Sequence, residues 1–240
     1  MLTIKLLLTN IIKSMKNKRA ILFDLDGVIV DTAHFHFHAW RNLAKKLAID
    51  FDEKDNEQLK GVSRVESLKK ILKWGNKTIS DQEFEQLMHE KNEEYLSYVD
   101  QMTPHDILPG VMHTLNFLKE QNVKIGLGSA SKNAKRILAN VELADFFDTI
   151  VDGITVSKAK PHPEVFLKGA EFLGEPPENC VVFEDSIAGI EAANRGNMIS
   201  IGIGNVKTLT KADYCFNDFT EIKEEFLTKI YLPFSTIKNE

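Results

Sequence analysis

The sequence predicts an α/β fold: a central parallel sheet with helices on both faces, interrupted by an inserted all-helical domain. Short apolar runs recur at residues 20–23, 123–131, 149–154, 180–186 and 199–204, with helical patterns at 111–121, 132–143, 163–174 and 188–196 between them. Strands that alternate with helices in this way pair in parallel, because each crossover helix returns the chain to the same edge direction. Residues 33–100 break the rhythm with helical periodicity, dense charge and no strand-like run. They predict a helical cap domain placed between the first strand and the rest. The expected organisation is an N-terminal extension over 1–19, a core over 20–32 and 101–240, and linkers near 31–33 and 102–109.

Composition narrows the function classes. The chain has 240 residues, 43% hydrophobic, long enough for a sizeable core. Its formal charge is −5, from 30 Lys+Arg and 35 Asp+Glu, and the basic residues are dispersed. No nucleic-acid footprint is present in such a pattern, whereas small anions held by a few lysines fit it. The two cysteines, Cys180 and Cys215, each lie in an apolar run, which predicts free thiols and a cytoplasmic location. The apolar start of the chain is broken by Lys5, Thr9, Asn10 and Lys13. It is too short and polar to span a bilayer, and reads as an amphipathic extension or as residues upstream of a natural start at Met15. No membrane partner is expected, and a monomer is the default.

The stretch DTAHFHFHAW places His34, His36 and His38 at alternate positions. On a strand they would share one face. As the start of a cap helix they divide: His34 and His38 align, while His36 aligns with Thr32 and Trp40. Two histidines without a third ligand make a poor zinc site, so His34 and His38 read as solvated. The Thr32, His36, Trp40 face is the functional candidate.

Two carboxylate clusters stand at the ends of predicted strands, Asp24 and Asp26 in FDLDGV, and Glu184 and Asp185 in FEDS. A calcium loop is excluded for the first, since its glycine is fourth rather than sixth and its twelfth residue is Phe35. Open parallel sheets bind ligands outside the carboxyl ends of their strands, which brings the four acids to one crevice. Such carboxylates repel, by about 4 kcal/mol per pair at 4 Å and an effective dielectric of 20, and an all-oxygen set calls for Mg2+. In GSASKN, Ser129 is followed by backbone N–H groups at a helix start capped by Ser131, an arrangement for an anion. Lys160, ahead of Pro161, supplies a cation for a phosphoryl group.

The order DLDG, SAS, KP, ED resembles the haloacid dehalogenase-like (HAD) phosphotransferase superfamily over residues 20–205. That resemblance implies a Rossmann-like HAD core, with Asp24 as the nucleophile that becomes an aspartyl phosphate and Asp26 as general acid and base. It places Ser129, Ala130 and Lys160 on the transferring phosphoryl group. It assigns Mg2+ to Asp24, the Asp26 carbonyl oxygen, Glu184 and Asp185.

In the cap, LKGVSRVESL carries Ser63 and Glu66 in capping-box spacing, which starts a helix with Arg64 in its first turn. A helix start with an arginine makes a second phosphate site, for which a monophosphate phosphatase has no use. FDLDGVIVDTAHFHFHAW, LKGVSRVESL, EKNEEY, LPG, SASKN and FEDSIAGI are similar to the β-phosphoglucomutase family within the superfamily. By that resemblance Thr32, His36, Trp40 and Lys91 form the hinge and cap set, and Leu59, Gly61, Val62, Ser63, Arg64 and Ser67 the substrate loop. Ser131, Lys132 and Asn133 form the core side of the sugar pocket. The implied substrates are β-glucose 1-phosphate, β-glucose 1,6-bisphosphate and glucose 6-phosphate. The alternative is a Mg-dependent sugar-phosphate phosphatase on the same scaffold.

Overall fold

The computed structural model describes residues 19–232; the expected extension, Arg19 apart, and residues 233–240 lie outside them. Six parallel strands form one sheet: β1 (Ala20–Phe23), β2 (Ile125–Gly128), β3 (Thr149–Val151), β4 (Cys180–Glu184), β5 (Ile199–Ile203) and β6 (Tyr214–Phe216). Their order is β3-β2-β1-β4-β5-β6. Within β1, Ala20 and Leu22 pack into one apolar cluster and Ile21 and Phe23 into another, because alternate side chains leave opposite faces of a strand. Both faces are therefore buried, and the strands read as continuous apolar runs.

The helices of the core are α5 (Val111–Glu120), α6 (Ala134–Asn140), α7 (Glu164–Leu173), α8 (Ile187–Arg195) and α9 (Glu224–Tyr231). Between β1 and α5 lie α1 (Ala33–Lys46), α2 (Glu53–Glu57), α3 (Arg64–Trp74) and α4 (Asp81–Val99), with no strand among them. Of these, α1, α3 and α4 share a separate apolar cluster built on Trp40, Leu43, Ala44, Leu68, Ile71 and Leu87. Among the described residues no helix is long and apolar enough to cross a membrane.

The structure trims and extends the sequence expectations. The run expected as a strand over 149–154 stops at Val151, since Asp152 folds its carboxylate onto Ile154 N, Thr155 N and Thr155 Oγ1 and turns the chain. β6 escaped because it is three half-buried residues at the sheet edge. α2 escaped because it is short and polar; a reciprocal box between Asp52 and Asp55 starts it.

The pairing of β1 with β4 has a direct bearing on the site. Phe23 is in register with Phe183, and the two rings stack with centroids 4.9 Å apart. Asp24 N then donates to Phe183 O at 2.9 Å. The next residues of the two strands are Asp24 and Glu184, so register alone brings the two carboxylate clusters together.

Candidate active site

Lys160 organises the floor of the cavity. Its Nζ donates to Asp24 Oδ1 at 2.6 Å and to Glu184 Oε2 at 2.8 Å, all three side chains being buried. Glu184 is held further by Ser186 Oγ at 2.7 Å and by the Asp185 and Ser186 amides. Any side chain at position 189 would collide with that carboxylate, so the first turn of α8 closes on Glu184 only because residue 189 is glycine. Gly27, at φ +81°, has the same relation to Asp185: a Cβ there would run into its carboxylate.

Asp24, Glu184 and Asp185 each bring a carboxylate oxygen within 4.8 Å of the others. Burial, then Glu184, raises the Asp24 carboxyl to about 8 against the pull of Lys160. Burial and Glu184 likewise hold Asp185 well above the carboxylate range, with Lys60 opposing them. Burial draws the Lys160 ammonium down, but Asp24 and Glu184 more than offset it and leave it above its usual value. With Asp26 the floor has four carboxylates against two lysines, Lys160 and Lys60. Fully ionised, that set would carry two negative charges in excess, which is why the acids are pushed toward protonation, and a divalent cation with oxygen ligands fits that excess.

The Asp26 carboxylate accepts a hydrogen bond from Thr32 Oγ1. Burial raises it, while Thr32, Lys160 and Lys91 oppose the shift. The helical side begins one turn beyond Thr32. His36 Nδ1 lies 2.8 Å from Lys91 Nζ, and its ring stacks on Tyr95 at 4.2 Å. Lys91 Nζ also sits over Trp40 at 4.7 Å and Tyr95 at 4.6 Å. Burial, then Lys91 and Arg64, holds the His36 imidazole well below its usual range, so it is neutral, and Lys91 Nζ donates a hydrogen bond to its Nδ1. Burial with Arg64 nearby pulls Lys91 down to about 7. His36 therefore serves Lys91 here, while Thr32 is the residue that holds Asp26. His34 and His38 are exposed, as solvated residues should be.

Arg64 opens α3 as expected, with Ser63 as N-cap accepting from Glu66 N at 3.4 Å. The return half of the capping box is not made, because the Glu66 carboxylate pairs with Lys69 at 2.8 Å instead. Arg64 is half-buried and donates from Nη1 to Met88 O at 3.3 Å.

On the core side, Ser129 is fully buried and its Oγ accepts from Ser131 N at 3.0 Å. Ser131 does not cap the helix: its Oγ accepts from Asn133 N, and α6 starts only at Ala134 behind Asn133. The expected cap is instead a turn that tightens the loop ahead of the helix. Asn133 Nδ2 reaches Asn92 Oδ1 on α4 at 3.1 Å.

A cavity of about 470 Å³ joins these parts. Asp24, Asp26, Lys160 and Asp185 line it from the floor; His36, Trp40, Leu59, Gly61, Val62, Ser63, Arg64, Ser67 and Lys91 from the helical side; Ala130, Ser131, Lys132 and Asn133 from the third wall. Thr32, Ser129 and Glu184 stand behind that surface, buried against residues that line it. Between Lys158 and Lys160 the structure discriminates by burial: Lys160 is buried between two acids, and Lys158 lies exposed in the wall. Sequence reasoning missed Tyr95, Lys60 and Asn92, which also line the cavity. Tyr95 had a signal, being four residues after Lys91 on one helix. Lys60 stands between two residues already singled out, Leu59 and Gly61.

Residues 18–197 match the model of the haloacid dehalogenase-like hydrolase family. Over 211 residues the chain is 42% identical to a β-phosphoglucomutase of Bacillus subtilis strain 168, covering 87% of this chain and 93% of that protein. A crystal structure of β-phosphoglucomutase from Clostridium difficile superposes with a TM-score of 0.86 at 47% identity, over 89% of this chain and 97% of that one. A phosphorylated carbohydrates phosphatase of Thermotoga maritima is 32% identical over 72% of this chain and 79% of that protein. The chain thus belongs to the haloacid dehalogenase-like hydrolase family, in its β-phosphoglucomutase branch.

Proposed function

We propose that the chain is a β-phosphoglucomutase, an isomerase that interconverts β-glucose 1-phosphate and β-glucose 6-phosphate through β-glucose 1,6-bisphosphate. The observation that carries this is one cavity with a cation at each end: Lys160 beside Asp24 on the floor, Arg64 and Lys91 on the helical side. A substrate with phosphates at both ends of a sugar ring suits such a cavity. The 42% identity to the Bacillus subtilis enzyme over most of the chain supports the same reading.

In this reading residues 33–100 act as a cap over a phosphoryl-transfer core. Asp24 carries the phosphoryl group as an aspartyl phosphate. The 6-hydroxyl of β-glucose 1-phosphate attacks phosphorus, its proton passes to Asp26, and the Asp24–phosphorus bond breaks to give the bisphosphate. The bisphosphate turns end for end so that Arg64 grips the 6-phosphate. Asp24 then attacks the phosphorus on O1, Asp26 returns its proton to O1, and glucose 6-phosphate leaves. Ser129 and Lys160 hold the group in transfer, and Thr32 keeps Asp26 aimed. Asp24, Glu184, Asp185 and the Asp26 carbonyl oxygen would hold Mg2+, which when bound offsets charge on the phosphoryl oxygens. Leu59, Gly61, Val62, Ser63, Ser67, Trp40, His36, Ala130, Ser131, Lys132 and Asn133 enclose the sugar and exclude water, which would otherwise hydrolyse the aspartyl phosphate. We place the enzyme in the cytoplasm as a monomer, consistent with two free cysteines.

The test is phosphorus NMR of the protein with Mg2+ and β-glucose 1-phosphate, with and without the 1,6-bisphosphate. Bisphosphate-stimulated conversion to glucose 6-phosphate is expected, abolished by EDTA and restored by Mg2+. Free phosphate as the main product would overturn the mutase in favour of a capped phosphatase.

A further inference from the structure

Lys60 reaches across the cavity from the helical side to the core. It belongs to the loop ahead of α3, and its Nζ is 3.5 Å from Asp185 Oδ2 and 3.0 Å from Glu57 Oε1. The loop is pressed against the core at this point: a Cβ on Gly61 would meet Ser186 Oγ at 2.5 Å. The Asp185 side chain is only 9% exposed, against 29% for Lys60 and 59% for Glu57. Lys60 is thus shared between an exposed carboxylate on its own side and a buried one on the other. The buried one is in the cluster that fits a divalent cation.

We propose that Lys60 is a latch that works against the metal: seated on Asp185, it fastens the 59–62 loop to the core and weakens divalent-cation binding there. The cation, by the same coupling, loosens the loop, since a coupling free energy between two ligands of one group acts equally on both. The proposal rests on the reading of Asp24, Glu184 and Asp185 as the metal site. Two cationic groups at one carboxylate repel each other, and Glu57 offers the displaced ammonium a partner without any change of fold. A phosphate in the cavity adds the negative charge that lets lysine and cation be seated together. Metal alone then leaves the loop loose, and metal with a phosphorylated ligand fastens it.

The experiment is calorimetric titration of the full chain with Mg2+ alone. Lys60→Met is expected to bind Mg2+ about fivefold more tightly than the wild type, the scale of a partly screened ion pair. Lys60→Arg should restore the wild-type affinity. Glu57→Gln, which removes the competing partner, should weaken Mg2+ binding, and that effect should vanish in the Lys60→Met background. Hydrogen exchange of the amides at 59–62 gives a second reading: Mg2+ should speed it in the wild type and leave Lys60→Met unchanged. Equal Mg2+ affinities for the wild type and a folded Lys60→Met would overturn the latch and leave the metal site standing. A wild type that binds no Mg2+ would overturn both. Should Lys60→Met not fold, the exposed Glu57→Gln decides alone, and an unchanged or tighter affinity there counts against the latch.

Discussion

The floor and the helical wall of the cavity solve opposite electrostatic problems. On the floor, acids outnumber cations, and Lys160 is paired with two carboxylates within 2.8 Å. On the wall, Lys91 rests against a neutral imidazole and two aromatic faces, and Arg64 donates to a carbonyl. Neither forms an ion pair among the described residues. A floor crowded with acids pushed toward protonation favours a cation, and a wall whose lysine is pushed toward deprotonation beside an arginine favours an anion. The floor residues come from strand ends, where register with the next strand leaves little freedom. Those of the wall come from helices and a loop with an apolar cluster of their own.

The largest effect should follow from breaking the floor. Asp24→Asn removes the proposed nucleophile and one acid of the crowded floor together. Turnover is expected to fall by at least about 10⁴-fold, with no aspartyl phosphate detectable by phosphorus NMR, as loss of a nucleophile usually costs that much or more. The same variant without metal should melt higher than the wild type, because burial and Glu184 disfavour the charged form of Asp24. A lower melting temperature would mean that the pair with Lys160 outweighs the crowding. On the wall, Arg64→Ala should cost isomerisation about 10²-fold through a lost charge-assisted phosphate contact. Phosphate release from the aspartyl phosphate should persist. An unchanged isomerisation rate would remove Arg64 from the second phosphate site and blur the distinction between the two regions.

The floor was legible in the sequence and the wall only partly so. Asp24 and Glu184 each end an apolar run, and residues at the ends of parallel strands meet whatever the details of packing. The wall depends on helix faces. His36 could be separated from His34 and His38 by the helical period, yet its partner, Lys91, is 55 residues away, and no local pattern links the two. The resemblance supplied Lys91. Tyr95, whose ring completes the enclosure of Lys91, could have followed from it by the helical period, whereas nothing pointed to Lys60, an ordinary lysine until the fold sets it beside Asp185. The capping expectations held in part: Ser63 caps α3 as its spacing implies, but the Glu66 carboxylate turns to Lys69, and Ser131 accepts from Asn133 N ahead of its helix.

Smaller effects sharpen the contrast on the wall. Lys91 is held to about 7 in the fold, against about 10.4 in an unfolded chain. Between those values the unfolded state binds more protons, so this group adds stability as pH rises, by about 2 kcal/mol from pH 7 to 9. The raised carboxyl of Asp24 has the opposite sign over its own range, which is why the comparison must be with Lys91→Met rather than with a flat line. Urea midpoints at pH 7 and pH 9 should converge toward the wild type's at the higher pH, with the variant the more stable at the lower. Ser63→Ala should be smaller still, about 1 kcal/mol from a lost N-cap. Its bond to Glu66 N is long at 3.4 Å, which argues for the lower part of the usual range. Because that cap also fixes where α3 begins, and with it the direction of Arg64, the variant should raise the Michaelis constant for the bisphosphate more than it changes the melting temperature. A melting shift with the Michaelis constant unmoved would make Ser63 a helix cap and nothing more.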